Sequence, residues 1–389
     1  MSSWSQIRTV IRREIGIWIK RPIYVVGSLL TIVFCTVFFL TFLKDGLPSD
    51  LPIGVVDLDH STFSRNFTAQ LDATQLGEVI QYDDFASARS AMQKGEITSF
   101  CLIPENMYAD VQAGRQPTMT FYVNGLYFVG GALAWKDLLT MTNLTGGAIK
   151  RQVLRAKGMN ETQMQGLLRP VDIDTHQIGN MMTDYGVYLT NSLLPGILEM
   201  IVILIVVYSL GTELKYGTSR HLLEKSGMSI TRALAGKLIV YTLYFSVIGI
   251  IMMLILYHWM HFPMQGSIWN MFLAIVLLVL ASEGVAVFII GLLPVLRFAV
   301  SVSAIYSILG FSLAGFTLPV ETMMPWLQGL AAAFPLRHYY LFFVQESLFG
   351  AGFAGWWTQV IWLLAFLLPP LAVLPRLKNA YIYQNYAKN

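Results

Sequence analysis

Residues 211–237 read GTELKYGTSRHLLEKSGMSITRALAGK and lie between two strongly apolar segments. The stretch carries Lys215, Arg220, Lys225, Arg232 and Lys237 against Glu213 and Glu224, and a Leu222-Leu223 pair with no apolar stripe around it. Joining two neighbouring helices needs only a handful of polar residues. A longer basic loop asks for two explanations, one for its charge and one for its leucines.

The flanks explain the charge. The chain has 389 residues, of which 55% are hydrophobic and 13% charged, and its mean hydropathy is +0.57. Soluble domains carry about 25% charged residues. A helix needs roughly 20 apolar residues to cross a hydrocarbon core about 30 Å thick. Six segments qualify, at 23–43, 187–210, 238–257, 271–292, 298–316 and 357–374. The first is too long for a signal-peptide core and lacks a small-residue cleavage site, which marks it as a retained anchor. The fifth is diluted by Ser301, Ser303, Ser307, Gly310 and Ser312, a composition suited to a helix packed inside the bundle.

Lysine and arginine then orient the spans. Arg8, Arg12, Arg13, Lys20 and Arg21 precede the first, Arg297 precedes the fifth, and Arg376, Lys378 and Lys388 follow the last. The 211–237 loop falls on the same side, which the positive-inside rule makes cytoplasmic. The intervening loop HWMHFPMQGSIWN has no positive charge, and the stretch after Phe316 has only Arg337. Both termini are therefore expected in the cytoplasm, and residues 44–186 outside. The resulting fold class is a polytopic α-helical membrane protein of six transmembrane helices, with an extracytoplasmic α/β domain inserted between helices 1 and 2. Its expected parts are an interface helix at 1–22, span 1 at 23–43, the domain at 44–186, spans 2–6 over 187–374 with external helices at 317–356, and a tail at 375–389.

Within the inserted domain, IGVVDLD, EVIQYDDF, TSFCLIPEN and PTMTFYVNG read as strands. They alternate with the helix-compatible STFSRNFTAQLDA, capped by Ser61, and with ASARSAMQKGE and MYADVQAG. Such alternation predicts a mixed or parallel sheet covered by helices. A long helix is expected from Leu126 to Lys157, weakened by Gly130, Gly131, Gly146 and Gly147, and then a strand, VDIDTHQI. Asp57, Asp59 and His60 could meet Asp172, Asp174 and His176 around a cation if their strands were neighbours. The alternative, that aspartates at strand ends cap the following turns, needs no metal and is preferred; no metal site is expected. Cys35 and Cys101 form no disulfide framework and read as packing residues.

Two acids lie within spans, Glu199 in the second and Glu283 in the fourth. Each costs about 2.5–3.5 kcal/mol on insertion scales, so a partner, a cavity or protonation must offset it. Asn191 and Ser192 extend the strip of Glu199, and with Ser307 and Phe311 on the fifth span these residues outline a substrate path. Ahead of the first span, Trp4, Ile7, Ile11, Ile15 and Trp18 recur at three- and four-residue steps with Arg8, Arg12 and Arg13 on other faces. The pattern predicts a helix lying in the interface with its apolar side in lipid.

This order of parts resembles the ABC-2 type export permeases, in particular the bacterial multidrug-export subset with a large external insert. Glu213, Gly217, Thr218, Leu222 and Leu223 match the family's loop pattern, and Gly236 and Lys237 match the pair that opens its third span. Gly315, Phe316, Pro319, Met324, Pro325, Pro335 and Leu336, with Tyr339 or Tyr340 beyond, follow its external pattern. Lys215 stands where a second acid is common, and SGMS replaces the usual proline. The resemblance implies a coupling helix, SRHLLEK, capped by Thr218 and ended by Gly227, after which Ser229 caps the third span. Leu222 and Leu223 would be exposed and seated in an ATPase groove, where burial contributes about 3–6 kcal/mol; the alternative is that they fold back on the membrane face, which amphipathic turns also favour. Arg220, Glu224, Lys225 and Arg232 would set its orientation.

No G-x-x-x-x-G-K-[ST] phosphate cradle occurs in the chain. The resemblance therefore implies a separate ATPase pair that binds ATP and Mg, no cofactor in this chain, and a second permease chain, identical or related. It further implies membrane lipids as surroundings, a periplasmic adaptor as a partner, no nucleic acid, and the bacterial inner membrane as location. The expected function is export of an amphipathic small molecule, drug or lipid by alternating access. The rival is a proton- or cation-coupled carrier using Glu199 and Glu283, against which the halves show no inverted repeat.

Overall fold

The computed structural model describes residues 3–44, 46, 50–74, 77–113, 115–125, 128–168 and 184–383. It divides into two compact units, one of Met1–Lys44 with Gln177–Asn389 and the other Asp45–His176. The chain opens with helix α1 (Ser3–Lys20), and a π-helical turn at Ile23–Gly27 leads straight into α2 (Ser28–Phe42).

The Asp45–His176 unit follows the alternation of the sequence: β1 (Leu51–Asp57), α3 (Thr62–Asp72), β2 (Gly77–Tyr82), α4 (Phe85–Lys94), β3 (Ser99–Ile103), α5 (Met107–Gln112) and β4 (Thr120–Val123). The sheet order is β2-β1-β3-β4, parallel except for the antiparallel β3–β4 pair. The two-residue period of a strand sends alternate side chains to opposite faces. Ile53 and Val55 pack with Phe67 and Leu71 of α3, while Val56 packs with Ala88 and Ala91 of α4. The local signals act as the residues suggest. Ser61 accepts the Ser64 N–H to start α3, Asp84 caps α4, and Gly95, at φ +78°, ends it. Hydrogen bonds from Ser87 hold the Asp84 carboxyl below the usual carboxylate range.

Helix α6 (Phe128–Ala156) runs unbroken through its glycines and buries Ala134 and Leu138 against the sheet. Helix α7 (Glu161–Leu168) follows and was not foreseen. Asp57 Oδ1 accepts the backbone N–H groups of Asp59 and His60, each at 3.1 Å, and so closes a turn. The expected strand over 171–178, with Asp172, Asp174 and His176, lies outside the described residues.

The second stretch of the other unit begins with α8 (Tyr185–Lys215), the short α9 (Ser219–Lys225) and α10 (Ile230–Leu254), which a π-helical turn extends to Trp259. Helices α11 (Ile268–Leu292) and α12 (Leu296–Leu313) follow, then α13 (Pro325–Ala331) and α14 (Pro335–Phe343), prolonged by a π-helical turn to Leu348. The described chain ends with α15 (Gly352–Ala365) and α16 (Pro369–Tyr383). Among the described residues, 6 helical stretches are long and apolar enough to cross a membrane: Ile23–Phe42, Tyr185–Lys215, Ile230–Trp259, Ile268–Leu292, Leu296–Leu313 and Gly352–Tyr383.

Helices α8 and α11 form the centre. Leu194, Leu198, Val202 and Val206 of α8 share one core with Ala274, Ile275 and Leu278 of α11. At Gly249 of α10 an added Cβ would lie 2.4 Å from Ile275 Cγ2, and at Gly284 of α11 one would lie 2.3 Å from the Phe366 carbonyl oxygen. The absence of side chains there sets how closely the helices approach. By contrast α2 exposes Phe34, Phe38 and Phe42, the apolar surface expected of a span facing lipid.

Two expectations about this bundle need correction. Helix α12 is not internal: it buries the small Ala299, Ser303 and Ser307 and exposes Phe298, Ile305 and Ile308. Small residues mark its packed side only. Within 317–356, α14 contributes Leu336, Tyr339, Phe342 and Phe343 to the main core. Finally, residues 375–383 are helical rather than a tail, and Leu377 and Tyr381 are fully buried.

Candidate coupling site at the 211–237 loop

Helix α8 ends at Lys215, and a turn through Gly217, at φ +70°, leads into α9. Helix α9 closes with a Schellman motif. Gly227, at φ +67°, donates its N–H to the Glu224 carbonyl, and Met228 donates to Leu223. Gly227 thus ends the helix as its sequence implied. Thr218 does not cap it: its side chain makes no cap bond and its hydroxyl turns back to Glu213 Oε2. Ser229 occupies the N-cap position of α10, but its hydroxyl bonds Thr231 Oγ1 instead of a free N–H.

The leucines are the largest correction. Leu222 is 1% exposed and Leu223 0%, and both belong to the core that contains Val10, Ile230, Leu377 and Tyr381. Their environment is α1, α10 and α16, which a reading of the loop by itself cannot supply. Ser219 Oγ donates to the Tyr381 carbonyl at 3.0 Å, and Tyr381 in turn donates its hydroxyl to the Leu210 carbonyl at 3.1 Å. The opposite face of the loop is open: Lys215, Tyr216, Arg220, His221, Glu224 and Met228 are exposed. Glu224 pairs with Arg220 at 3.5 Å in solvent, a contact worth only a few tenths of a kcal/mol. Arg232 bonds Gln6 and the Gly227 carbonyl, tying the loop to α1.

Glu213 and Lys237 lie at the heart of a buried network. Arg13 grips Glu213 with both terminal nitrogens, Nη1 to Oε1 at 2.7 Å and Nη2 to Oε2 at 2.8 Å. Lys237 Nζ donates to Glu213 Oε1 at 3.1 Å and to Glu14 Oε2 at 2.8 Å. The Tyr241 hydroxyl lies 2.8 Å from Glu14 Oε1 and 2.7 Å from Ser209 Oγ, and it accepts the Trp18 indole N–H at 3.1 Å. Lys237 and Glu14 are 2% and 0% exposed. Two cations and two carboxylates balance, and each is hydrogen-bonded, which is the condition for burying such groups. Burial alone would lower the Arg13 pKa. The bond to Glu213 and the charges of Glu213 and Glu14 outweigh it and hold the guanidinium above its ordinary value.

The expected interface role of α1 changes with this. Val10 and Glu14 are fully buried against α10 and Arg13 is turned inward, whereas Trp4 and Ile15 are exposed. The stripe that packs on protein is offset from the apolar stripe read in the sequence. Arg13, Glu14, Ser209 and Tyr241 were missed. One signal was present: a lone glutamate in a basic helix and a lone lysine at the mouth of an apolar span each require a partner.

Of the five residues of the expected substrate path, Glu199 and Phe311 come near one another: Glu199 lies within one turn of Gly196 on α8, where Phe311 packs. Glu199, 2% exposed, lies close to the Leu336 backbone N–H in the first turn of α14, and its Oε1 has no partner among the described residues. Glu283 accepts from Thr242 at 2.8 Å through Oε2, and its Oε1 also lacks a partner. Asn191 is held by the Val187 carbonyl and the Tyr257 hydroxyl, each at 2.9 Å. Ser307 bonds back to the Ser303 carbonyl, and Phe311 packs on Gly196. An apolar cavity of about 490 Å³ between α11, α12 and α15 is lined by Tyr306, Phe366 and Trp362 but by none of these five.

The fold and loop define a multi-pass membrane permease. Residues 23–372 match the model of the ABC-2 family transporter proteins, and the chain belongs to that family. No curated protein matches it. Membership makes the chain the membrane subunit of an ABC transporter, associated with an ABC ATPase subunit rather than an enzyme itself, and it does not favour the proton-coupled carrier.

Proposed function

We propose that the chain is the permease half of a bacterial exporter driven by a separate ATPase pair that binds ATP and Mg. It sits in the inner membrane with both termini and the 211–237 loop in the cytoplasm, and with residues 44–186 outside. Two permease chains, identical or related, form the path, and a periplasmic adaptor extends it. The cargo is an amphipathic small molecule, drug or lipid, moved by alternating access.

The observation that carries this reading is the two-faced loop. Leu222 and Leu223 root α9 in the bundle, while Tyr216, Arg220, His221, Glu224 and Met228 face away from it. The ATPase then docks on the exposed face, and the leucines act as the rigid joint through which its movement reaches α1, α10 and α16. Tyr216 and Met228, 55% and 44% exposed, are the apolar contacts such a surface offers.

The test is capture of the ATPase from native membranes with a tagged chain. A Tyr216→Glu, Met228→Glu double variant keeps the fold, since both side chains are outside the core, and should lower captured ATPase at least about tenfold, or 1.4 kcal/mol. Undiminished capture would remove this face from the coupling role. The leucines give no clean test, because a charge at either position damages the core first.

A further inference from the structure

At the end of the bundle opposite the 211–237 loop, α2 ends, α8 begins, and the chain turns back after α10. These three segments enclose a cleft of about 460 Å³, within the roughly 300–1,000 Å³ of small-ligand sites. Phe39, Leu40, Val187 and Phe262 give it an apolar wall, while Lys44, Asp184 and His261 line its polar part.

Three features make it a built site rather than a gap. Thr190 lines the cleft, is 1% exposed, and its hydroxyl has no hydrogen-bond partner among the described residues. Ser192, Thr242 and Ser303 bond back to the carbonyl four residues earlier; Thr190, like Ser246, does not. A buried hydroxyl left without an acceptor is costly, so an acceptor brought by a ligand stabilises it. Secondly, the exposed Lys44 ammonium makes no ion pair among the described residues, whereas Asp184 Oδ1 is engaged by the Val187 N–H at 3.0 Å. The mouth of the cleft therefore carries the Lys44 ammonium beside a carboxylate, Asp184, that the start of α8 holds in place. Thirdly, α2 and α8 touch backbone to backbone beside the cleft. A Cβ at Gly186 would lie 2.6 Å from the Leu43 carbonyl oxygen, which fixes that wall.

We propose that this cleft binds one phospholipid. An acyl chain lies along Phe39, Leu40 and Phe262, an ester carbonyl accepts the Thr190 hydroxyl, and the phosphate sits between Lys44 and His261. Hydrophobic lining, one neutral donor and a cation at the mouth follow the order of groups along such a lipid. The inference is independent of the direction or cargo of transport.

The test uses the full chain, delipidated in a neutral maltoside detergent and titrated with phosphatidylglycerol, with occupancy read by native mass spectrometry. One lipid per chain should be retained. Thr190→Val, which keeps the shape and removes the hydroxyl, should weaken it roughly fivefold, as for one neutral hydrogen bond. Thr190→Ser, which keeps the hydroxyl, should retain wild-type occupancy. Lys44→Glu, at an exposed position that cannot disturb packing, should weaken it by about tenfold or more. Diacylglycerol, with tails and esters but no phosphate, should bind as weakly as phosphatidylglycerol binds Lys44→Glu. Glycerol phosphate at equal concentration should displace nothing. Unchanged occupancy in both Thr190→Val and Lys44→Glu overturns the proposal. So does diacylglycerol binding as well as phosphatidylglycerol, or displacement by glycerol phosphate, which would mark a plain anion site.

Discussion

Lys237 illustrates how one residue links distant parts of this chain. Its ammonium joins Glu14, 223 positions earlier, to Glu213, 24 positions earlier, and all three are nearly excluded from solvent. Removing one partner of a buried ion pair costs roughly 3–5 kcal/mol, because the remaining charge is left without compensation. Lys237→Met should therefore lower the thermal midpoint of the detergent-purified chain by several degrees. Pairing it with Glu14→Gln, which restores the charge balance, should recover part of the loss. Glu224→Ala, at the exposed pair with Arg220, should move the midpoint by no more than the fraction of a kcal/mol such pairs carry. Equal losses in Lys237→Met and Glu224→Ala would contradict the ranking. Glu213 and Lys237 were singled out through the family resemblance, as coupling residues rather than as partners in a buried network. Glu14 was not, because nothing local says which face of a helix 200 residues away meets that lysine.

At the scale of the element, α1 and α9 were placed correctly and given the wrong neighbours. The three- and four-residue spacing of α1 fixes its helicity, but an amphipathic helix presents the same pattern to lipid and to protein. What separates the two is the close approach at Gly236, where an added Cβ would lie 2.7 Å from Val10 Cβ and 2.9 Å from the Ile7 carbonyl oxygen. Gly236→Val should push α1 off α10. Cysteines at Gln6 and Arg232, whose long side chains meet in the native chain, report the separation: a short bismaleimide should crosslink them readily in an otherwise wild-type chain, and the yield should fall severalfold when Gly236→Val is added. An unchanged yield would mean that α1 is held by its charges alone. The leucines of α9 follow the same logic. Their burial depends on α16, whose last turns were read as a tail because Arg376 and Lys378 made them polar, although Leu377 and Tyr381 carry an inward stripe.

For the whole molecule, six spans and an inserted α/β unit were visible because both rest on local periodicity: long apolar runs in one case, alternating strand and helix signals in the other. The surroundings of the path residues were not, since Glu283 and Asn191 bond Thr242 and Tyr257 of α10 and its extension, which no spacing in their own spans encodes. The inserted unit differs from the bundle in what stabilises it. Its sheet is covered by α3 and α6 on one face and by α4 on the other, with separate cores around Ile53 and Phe100, so it contains two packed layers of its own. A fragment spanning residues 45–176 should accordingly express as a soluble monomer and show mixed helix and strand circular dichroism. It should unfold in one cooperative urea transition, with a slope of about 1–3 kcal/mol/M as for small domains. Phe100→Ala should lower the midpoint by the equivalent of about 3–5 kcal/mol, because Phe100 is fully buried and stacks on Tyr122 at 4.6 Å. A fragment that unfolds without cooperativity, or is insensitive to Phe100→Ala, would show that the unit requires the bundle to fold.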